Sequence, residues 1–481
     1  MLVESITAER QGCEGEFISA SEIIAAMSTA LDLTEGQPTG HAARSCWIGM
    51  HLASQIGIGA EEKSALFYAL LLKDLGCSSN ASKVSYLFAA DDRVVKREFK
   101  TVNWQSLWNN VRYVVSQVSP EGRTWDKLTR MLALAKQGPE GTKNLIKTRC
   151  ERGAMIARRL GFSELTAQAI LDLDEHWNGK GYPLGKKGHE ISQLGRILNI
   201  SQTIEVFWRE MGLIAAKEVV KQRCGTWFEP ALCRAFLRSC QERSLQRMMC
   251  CENLLTELVV FEPDQMRFSV DAAFLDRVAQ GFSDVVDAKS PWTYKHSQGV
   301  AEISVGIARS IGWADDRIVS LRRAALLHDL GKLGISNRIL DKPGKMTDEE
   351  FAIVKTHPRL TEEILSKVPA LSELATVAGA HHERWDGRGY FRGIESSSLP
   401  LEARILMVAD IFEALTAARP YRDGMPQEKV LAILEKDCGT AVCPEAYSGL
   451  LKWIDGRNVA SRVEVQLEAV EKLLCGTGAC S

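Results

Sequence analysis

The 481 residues of this chain are 45% hydrophobic and 25% charged, and the formal net charge at pH 7 is −2. This length exceeds what one hydrophobic core usually supports, so we expect two or three domains. The balanced charge excludes a disordered chain and a polybasic nucleic-acid-binding surface, and no apolar stretch approaches the roughly 18 residues of a membrane span. The start lacks the features of a signal peptide and the cysteines are scattered, so we expect a cytoplasmic protein with reduced thiols.

The chain carries two versions of one pattern, which indicates an ancestral duplication. HAARSCWIGMHLASQIGI, beginning at residue 41, resembles HSQGVAEISVGIARSIGW, beginning at residue 296, and SALFYALLLKDLGCSS resembles RRAALLHDLGKLGIS. Three further blocks match in the same order, namely 173–183 with 381–391, 191–207 with 399–415, and RCGTWFEPALCRAFL with DCGTAVCPEAYSGLL. Several matched blocks in one order are hard to produce by chance.

We predict an all-α protein made of two similar helical domains. Apolar residues recur at three- and four-residue spacing, and alternating β-branched residues are nearly absent. In chain order we expect a degenerate first domain over 20–240, a connecting segment over 241–280 and the second domain over 281–465. The first domain contains about 47 extra residues. We expect this insert, near 80–135, to form a helical hairpin packed on the domain, and the connecting segment to be partly extended.

The second half holds an unusual concentration of histidines. Five of the nine histidines lie between residues 296 and 382, and two aspartates, Asp329 and Asp410, lie nearby in sequence. The helical period places His328 on the apolar face of its segment, where an imidazole beside a carboxylate needs a polar partner. One such pair is more often a hydrogen-bonded core pair. Five histidines with two aspartates instead favour manganese, iron or zinc, and seven ligands indicate two ions that share a carboxylate.

Five motifs in this half resemble those of the HD-GYP family, which are bacterial phosphodiesterases that open cyclic dinucleotides. The motifs are HDLGK (328–332), KTHP (355–358), HHERWDGRGYF (381–391), ARILMVAD (403–410) and LTAARPYR (415–422). The resemblance covers about 290 to 450. It implies a metal-dependent phosphodiesterase of the HD superfamily, and it makes the first half a degenerate copy of the same domain.

The resemblance also implies a ligand set for two divalent ions, with iron or manganese as the expected metals. One ion would be held by His296, His328, Asp329 and Asp410. The other would share Asp329 and be completed by His357, His381 and His382. Such a pair of ions activates a water for in-line attack on a phosphodiester.

Other residues are predicted to act on the substrate. Lys332, close to Asp329, is the first candidate for a catalytic cation that stabilises charge on the phosphate. Arginines can grip a phosphate with two hydrogen bonds, so Arg419 and Arg422 are predicted to contact the substrate. Arg388 and Tyr390 belong to the glycine turn that would shape the mouth of the site, and they are predicted to contact the substrate too.

Five positions depart from the family pattern. Phe391 replaces the last proline of the GYP motif, which frees the backbone and puts the loop shape in doubt. Trp292 stands where some members have a glutamate ligand for a third metal, so we predict two metals. Glu413 replaces an aspartate, Cys443 replaces the aspartate of the usual DP pair, and Gly299 replaces a basic residue three positions after the first histidine. All five lie outside the ligand set.

The first half has lost most of the ligands. The aligned positions are His41, Lys73, Asp74, Arg149, Leu173, Asp174 and Gln202. Our hypothesis is that the cations Lys73 and Arg149 substitute for the missing metal by pairing with Asp74 and Asp174, because buried carboxylates need partners. Alternatively, Lys73 extends to solvent from a shifted helix.

The predicted activity is hydrolysis of cyclic di-GMP to the linear dinucleotide, and the sequence leaves open whether GMP is the final product. Cyclic GMP-AMP is an alternative substrate, because family members that accept it exist and the altered loop could relax base choice. The chain could instead be a cyclic-dinucleotide-responsive signalling or scaffold protein with low turnover, or it could hydrolyse different nucleotides, as HD proteins outside the GYP group do. We expect no membrane span and no nucleic-acid polymer as partner, and the sequence leaves self-association and signalling partners open.

Overall fold

The computed structural model describes residues 19–103, 106–120, 124–249, 251, 254–258, 261, 270–396, 398–419 and 423–457. Apart from isolated β-bridges, every regular element in these residues is a helix, so the predicted all-α fold is confirmed. No helix in this part of the chain is long and apolar enough to cross a membrane. The chain divides into two compact units: Met1–Gly281 with Ser336–Lys342 and Ile364–Ser372, and Phe282–Ile335 with Pro343–Glu363 and Glu373–Ser481.

The first unit is built from twelve described helices and most of a thirteenth. They are α1 (Ala20–Thr34), α2 (His41–Ile56), α3 (Ala60–Leu72), α4 (Ala81–Phe88), α5 (Asp92–Phe99), α6 (Leu107–Gln117), α7 (Thr124–Arg159), α8 (Glu164–Leu171), α9 (Gln193–Arg223), α10 (Pro230–Ser239), α11 (Arg243–Met248), α12 (Leu254–Leu258) and α13 (Ala272–Asp287). The boundary between the units falls inside α13, after Gly281.

The rest of the chain, most of it in the second unit, contributes eight further helices. They are α14 (His296–Ser310), α15 (Asp315–Leu327), α16 (Asn337–Leu340), α17 (Asp348–Val354), α18 (His357–Leu365), α19 (Ser372–Gly379), α20 (Leu401–Thr416) and α21 (Gln427–Lys436), and residues 444–457 are also helical. Helix α16 and the end of α18 are grouped with the first unit.

The same packing occurs in the core of each unit. In the first unit α2 packs against α3 and α9, and in the second α14 packs against α15 and α20. Each central helix begins at a histidine, His41 or His296, after a residue in the left-handed region. That residue is Gly40 in one unit and Lys295 in the other, with φ of 88° and 57°. Equivalent helices therefore bring equivalent histidines to the same place in each unit.

The structural repeat extends one helix beyond the matched sequence blocks. In the first unit, Asp32 at the end of α1 accepts hydrogen bonds from the backbone N–H groups of Gly40 (2.7 Å) and Ala42 (3.0 Å). In the second unit, Asp287 at the end of α13 accepts one from the Ser297 hydroxyl at 2.7 Å. An aspartate thus fixes the start of the central helix in both units.

The insert is more elaborate than the predicted hairpin, and that prediction was wrong. It comprises α4, α5, α6 and the first half of α7, which is broken at Gly138 with φ of 57°. Apolar side chains from these helices form a separate small core, which includes Val84, Val95 and Tyr113. The described part of the connecting segment contains the helices α11 and α12, and the rest of the stretch predicted to be partly extended lies largely outside the described residues.

Candidate metal centre and its degenerate counterpart

One aspartate lies at the centre of the second unit's histidines. Asp329 Oδ2 lies 3.4 Å from His328 Nε2 and 3.5 Å from His296 Nε2. Its other oxygen, Oδ1, lies 3.3 Å from His357 Nε2 and 3.8 Å from His381 Nε2. The carboxylate therefore faces two pairs of imidazoles, one pair on each oxygen, as a bridging ligand would.

The remaining predicted ligands complete the two sides. Asp410 Oδ1 lies 3.2 Å from His296 Nε2 and 3.9 Å from His328 Nε2. On the other side, ligand atoms of His357, His381 and His382 lie within 4.8 Å of one another. The structure thus brings all seven predicted ligands into one cluster, in which His382 is only partly buried, and groups of these residues could hold metal ions.

The backbone sets which ring nitrogen of three histidines faces the cluster. The Nδ1–H groups of His328, His357 and His381 donate to the carbonyls three residues earlier, at 2.7, 2.7 and 2.6 Å. These bonds place the proton on Nδ1 and leave the Nε2 lone pair directed at Asp329. A carbonyl that orients a histidine in this way is the usual support of a metal ligand.

Burial keeps several of these rings uncharged. It holds the pKa of His328 below its ordinary value and that of His381 well below it. It lowers the pKa of His382 to about 3, and nearby His357 adds to the effect. At pH 7 these imidazoles are neutral, which is the form that binds a metal.

His296 behaves differently. Burial alone would lower its pKa, but hydrogen bonds to Asp410 and Glu413 raise it to about 10. The proton on Nε2 therefore lies beside the carboxylates of Asp329 and Asp410, and these two acids favour a positive charge at this position.

The donor set fits a divalent metal. Among the described residues, the buried atoms His328 Nε2 and Asp329 Oδ1 have no hydrogen-bond partner. A buried acceptor without a partner costs about 1–3 kcal/mol, so the fold keeps an unfavourable arrangement here that a cation would relieve. Imidazoles with carboxylates are ligands for iron, manganese and zinc.

A glycine allows the segment around His357 to lie close to the turn that follows His328 and Asp329. A Cβ on Gly331 would lie 2.0 Å from the His357 carbonyl oxygen, and in the first unit a Cβ on Gly76 would lie 1.8 Å from that of Arg149. Thr361 joins the same two segments, because its hydroxyl donates to the His328 carbonyl and accepts from the Gly331 N–H, both at 2.9 Å.

Sequence reasoning missed two glutamates that support the cluster. Glu413 accepts a hydrogen bond from His296 Nδ1. Glu383 accepts bonds from the N–H groups of Arg392 (3.0 Å) and Ile394 (3.3 Å), which closes the glycine turn although Phe391 replaces proline. The signal was present, because Glu205 and Glu175 hold the matching positions in the half that lost its ligands.

Only some of the residues predicted to act on the substrate lie beside the cluster. Lys332 Nζ lies 2.5 Å from Asp329 Oδ2, and the Tyr390 ring lies 4.5 Å from that of His382. Arg388 is exposed on the turn. The guanidinium of Arg419 is engaged with Glu413 at 2.6 Å, so this geometry gives no support to a substrate contact. The prediction for Arg422 lies outside the described residues.

The chain is similar to known proteins over both halves. The family profile described as "HD domain" matches residues 127–231 and 280–443, more than half of the chain. The protein named 3′3′-cGAMP-specific phosphodiesterase 3 of Vibrio cholerae is 42% identical over 90% of this chain and 94% of its own length. The chain belongs to the HD domain family.

A further relative matches a smaller region, and a solved structure matches most of the chain. A cyclic di-GMP phosphodiesterase of Thermotoga maritima is 38% identical over 37% of this chain and 49% of its own length. The crystal structure of the Vibrio cholerae cyclic GMP-AMP-specific phosphodiesterase V-cGAP3 is 38% identical, covers 91% of this chain and 98% of that one, and has a TM-score of 0.64. The predicted resemblance to HD-GYP phosphodiesterases is confirmed.

In the degenerate HD copy, salt bridges occupy the place of the cluster. Lys73 pairs with Asp74, and Arg149 pairs with Asp174. The Lys73 side chain is 0% exposed, so the alternative in which it extends to solvent is wrong. The insert supplies a further cation, since Lys100 Nζ lies 2.9 Å from Glu35 Oε2 and 3.6 Å from Asp74 Oδ1.

The amines of Lys73 and Lys100 lie where a metal ion would have to bind in the first unit. Ligand atoms of Glu35, Asp74 and Cys77 lie close enough to hold an ion. However, the carboxylates of Glu35 and Asp74 already pair with Lys73 and Lys100. Three cations thus neutralise three acids in the degenerate copy, of which Glu35 and Asp74 are buried, and this is what its fold requires in place of an ion.

His41 is expected to make the degenerate copy less stable in mild acid. Burial lowers the pKa of His41 to about 4; Glu205 opposes this effect, and Lys73 and Lys100 add to it. Because the ordinary pKa is 6.5, the unfolded chain takes up a proton first as the pH falls. This group alone should destabilise the unit by about 2 kcal/mol at pH 5 relative to pH 7.

Hydrogen exchange of α2, corrected for intrinsic rates, measures this change, and His41→Gln serves as the comparison. The variant should show a smaller difference between the two pH values than the wild type. Equal differences in the two proteins would contradict the assignment.

Proposed function

We propose that this protein is a metal-dependent phosphodiesterase that hydrolyses 3′3′-cyclic GMP-AMP in its second unit. The observation that carries the substrate is the similarity to the cyclic GMP-AMP-specific enzyme of Vibrio cholerae, which extends over both halves. The named cyclic di-GMP phosphodiesterases match only about a third of the chain or less. The sequence alone favoured cyclic di-GMP over cyclic GMP-AMP. We therefore propose the opposite preference.

Two divalent ions, iron or manganese, are proposed to be held by the seven clustered side chains. His296, His328 and Asp410 would hold one, His357, His381 and His382 the other, and Asp329 would bridge them. Bound there, such ions supply Lewis-acid polarisation of the phosphate and lower the pKa of an attacking water.

The protein's own groups have separate tasks. The carbonyl bonds on His328, His357 and His381 keep the Nε2 lone pairs in place, so no reorganisation is needed when the substrate arrives. Lys332 places a positive charge at the edge of the cluster, where it would stabilise charge that develops on the phosphate oxygens. Tyr390, whose ring lies 4.5 Å from that of His382, offers a surface beside the cluster for the dinucleotide.

Turnover of the two cyclic dinucleotides by anaerobically purified protein tests the proposal. We expect kcat/KM for 3′3′-cyclic GMP-AMP to exceed that for cyclic di-GMP by at least about tenfold, or about 1.4 kcal/mol in transition-state binding. Protein treated with a chelator is the control and should lose turnover of both. Preference for cyclic di-GMP would refute the substrate, and bound metal without turnover of either would instead favour the binding or scaffold role.

A further inference from the structure

Two helices of the insert expose rows of large apolar side chains to solvent. The rows consist of Trp108, Val111 and Val115 on α6 and of Trp125, Leu128 and Leu132 on the first half of α7. The two tryptophans are 79% and 76% exposed, and the other four side chains are 46–56% exposed. Single exposed apolar residues are normal on a protein surface, whereas contiguous exposed apolar surface usually marks an interaction site.

Both rows have the same spacing along their helices. In each row a tryptophan is followed by an aliphatic residue three positions later and by another four positions after that. Residues spaced in this way lie on one face of a helix, and a stripe of this width is the seam by which helices pack on each other in coiled coils and bundles. The spacing therefore indicates two helix faces shaped to pack against other helices.

The opposite faces of α6 and α7 are held by the insert itself. Tyr113 of α6 lies in the small core with Val84, and its hydroxyl donates to the Val95 carbonyl at 2.5 Å. Arg130 of α7 donates to the Tyr86 carbonyl at 2.6 Å, and its guanidinium lies over the ring of that tyrosine. Neither helix can therefore turn its apolar row inwards without losing these contacts.

The exposed area matches what one chain contributes to a stable dimer. The exposed fractions of the six side chains correspond to roughly 700 Å² of surface, and each partner in a standard protein–protein interface buries about 800 Å². Tryptophan is also enriched among the residues that dominate the binding energy of such interfaces. The two rows together are therefore large enough, and of suitable composition, for a protein partner.

The charges beside the rows favour a protein over a lipid surface. Among the exposed side chains that the structure describes on these two faces, only Arg112 and Lys136 are charged. Charged residues are depleted from the centres of protein interfaces. Recognition of anionic lipid usually takes clusters of about four to eight basic residues, more than these faces carry.

We infer that the exposed faces of α6 and α7 form an interface with a second copy of this chain. An isologous dimer pairs the same patch from both chains, so a second copy supplies two helices with matching seams. The four helices would pack as a bundle around the apolar rows. This inference concerns the insert alone and does not depend on which substrate the second unit hydrolyses.

Sedimentation equilibrium of the full chain at several concentrations tests this inference. The wild type should be a dimer at low micromolar concentrations. Trp108→Ala and Trp125→Ala should each raise the dissociation constant of the dimer by about 30-fold or more, as expected for central aromatic residues of an interface. Leu132→Lys should also weaken the dimer, and it covers the case in which the tryptophan variants do not fold. The control is Ile214→Ala, because Ile214 is 80% exposed but lies on α9, outside the insert.

Hydrogen exchange locates the contact in the wild-type protein. The amides of α6 and of the first half of α7 should become more protected as the protein concentration rises, and those around Ile214 should not change. A wild type that remains monomeric, or a dimer that persists unchanged in the tryptophan and leucine variants, would overturn the inference. Monomeric protein that binds vesicles of phosphatidylcholine and phosphatidylserine through Trp108 and Trp125 would also overturn it, because the faces would then be a membrane site.

Discussion

Asp329→Ala is expected to lower turnover of 3′3′-cyclic GMP-AMP by on the order of 1,000-fold or more, which is about 4 kcal/mol in the activation barrier. Its two oxygens face both histidine pairs, whereas Asp410 Oδ1 faces His296 and His328. Removing it would therefore disrupt both proposed ion positions, not one. Steady-state rates and metal content of the purified variant measure the effect.

Asp316→Ala is the matched control for this substitution. Asp316 is an exposed aspartate in the first turn of α15, the helix that ends directly before His328. Its replacement should leave turnover within about twofold of the wild type, because surface substitutions usually change stability by less than about 0.5 kcal/mol. If Asp329→Ala retained a tenth of wild-type turnover, the bridging role of Asp329 would be wrong.

Lys73→Met is expected to destabilise the first unit by about 3–5 kcal/mol, because it leaves the buried carboxylate of Asp74 without its closest partner. Neighbouring charges, Lys100 and Lys73 among them, offset the effect of burial and hold the pKa of Asp74 far below its ordinary value. The amine of Lys100 lies 3.6 Å from Asp74 Oδ1, so it compensates only in part for the loss of Lys73. Since a two-unit chain need not unfold in one step, hydrogen exchange of α3 is the suitable measurement.

A surface pair provides the comparison for Lys73. Lys221 pairs with Glu218 at 2.8 Å, but both side chains are more than half exposed. Lys221→Met should therefore change stability by less than about 1 kcal/mol. Equal effects of Lys221→Met and Lys73→Met would mean that the buried pair does not substitute for a metal.

Six of the seven clustered residues could be predicted because each lies in a short motif with a chemical reason for its residue types, and the seventh, His296, begins a block that recurs in the first half. Duplication added a second source of information, since the half that lost its ligands shows which positions serve the metal. The same comparison could have identified Glu383 and Glu413. Both are glutamates in the two halves, and neither belongs to the predicted ligand set.

Other features depend on contacts between distant segments, which sequence spacing does not encode. Lys100 lies in the insert, and nothing in its neighbourhood indicates that its amine reaches Glu35 and Asp74. Arg419 was predicted to bind substrate because it lies in the RPYR motif. Only the positions of Glu413 and Tyr294 reveal that its guanidinium is buried and engaged. The insert's four-helix arrangement likewise depends on packing around its own small core.

The metal content of anaerobically purified wild-type protein tests the central claim most directly. We predict about two iron or manganese ions per chain, lost in Asp329→Ala and retained in Asp74→Ala, the matching substitution in the first unit. Metal that is absent from the wild-type protein, or that is lost from Asp74→Ala and kept by Asp329→Ala, would contradict a catalytic centre confined to the second unit.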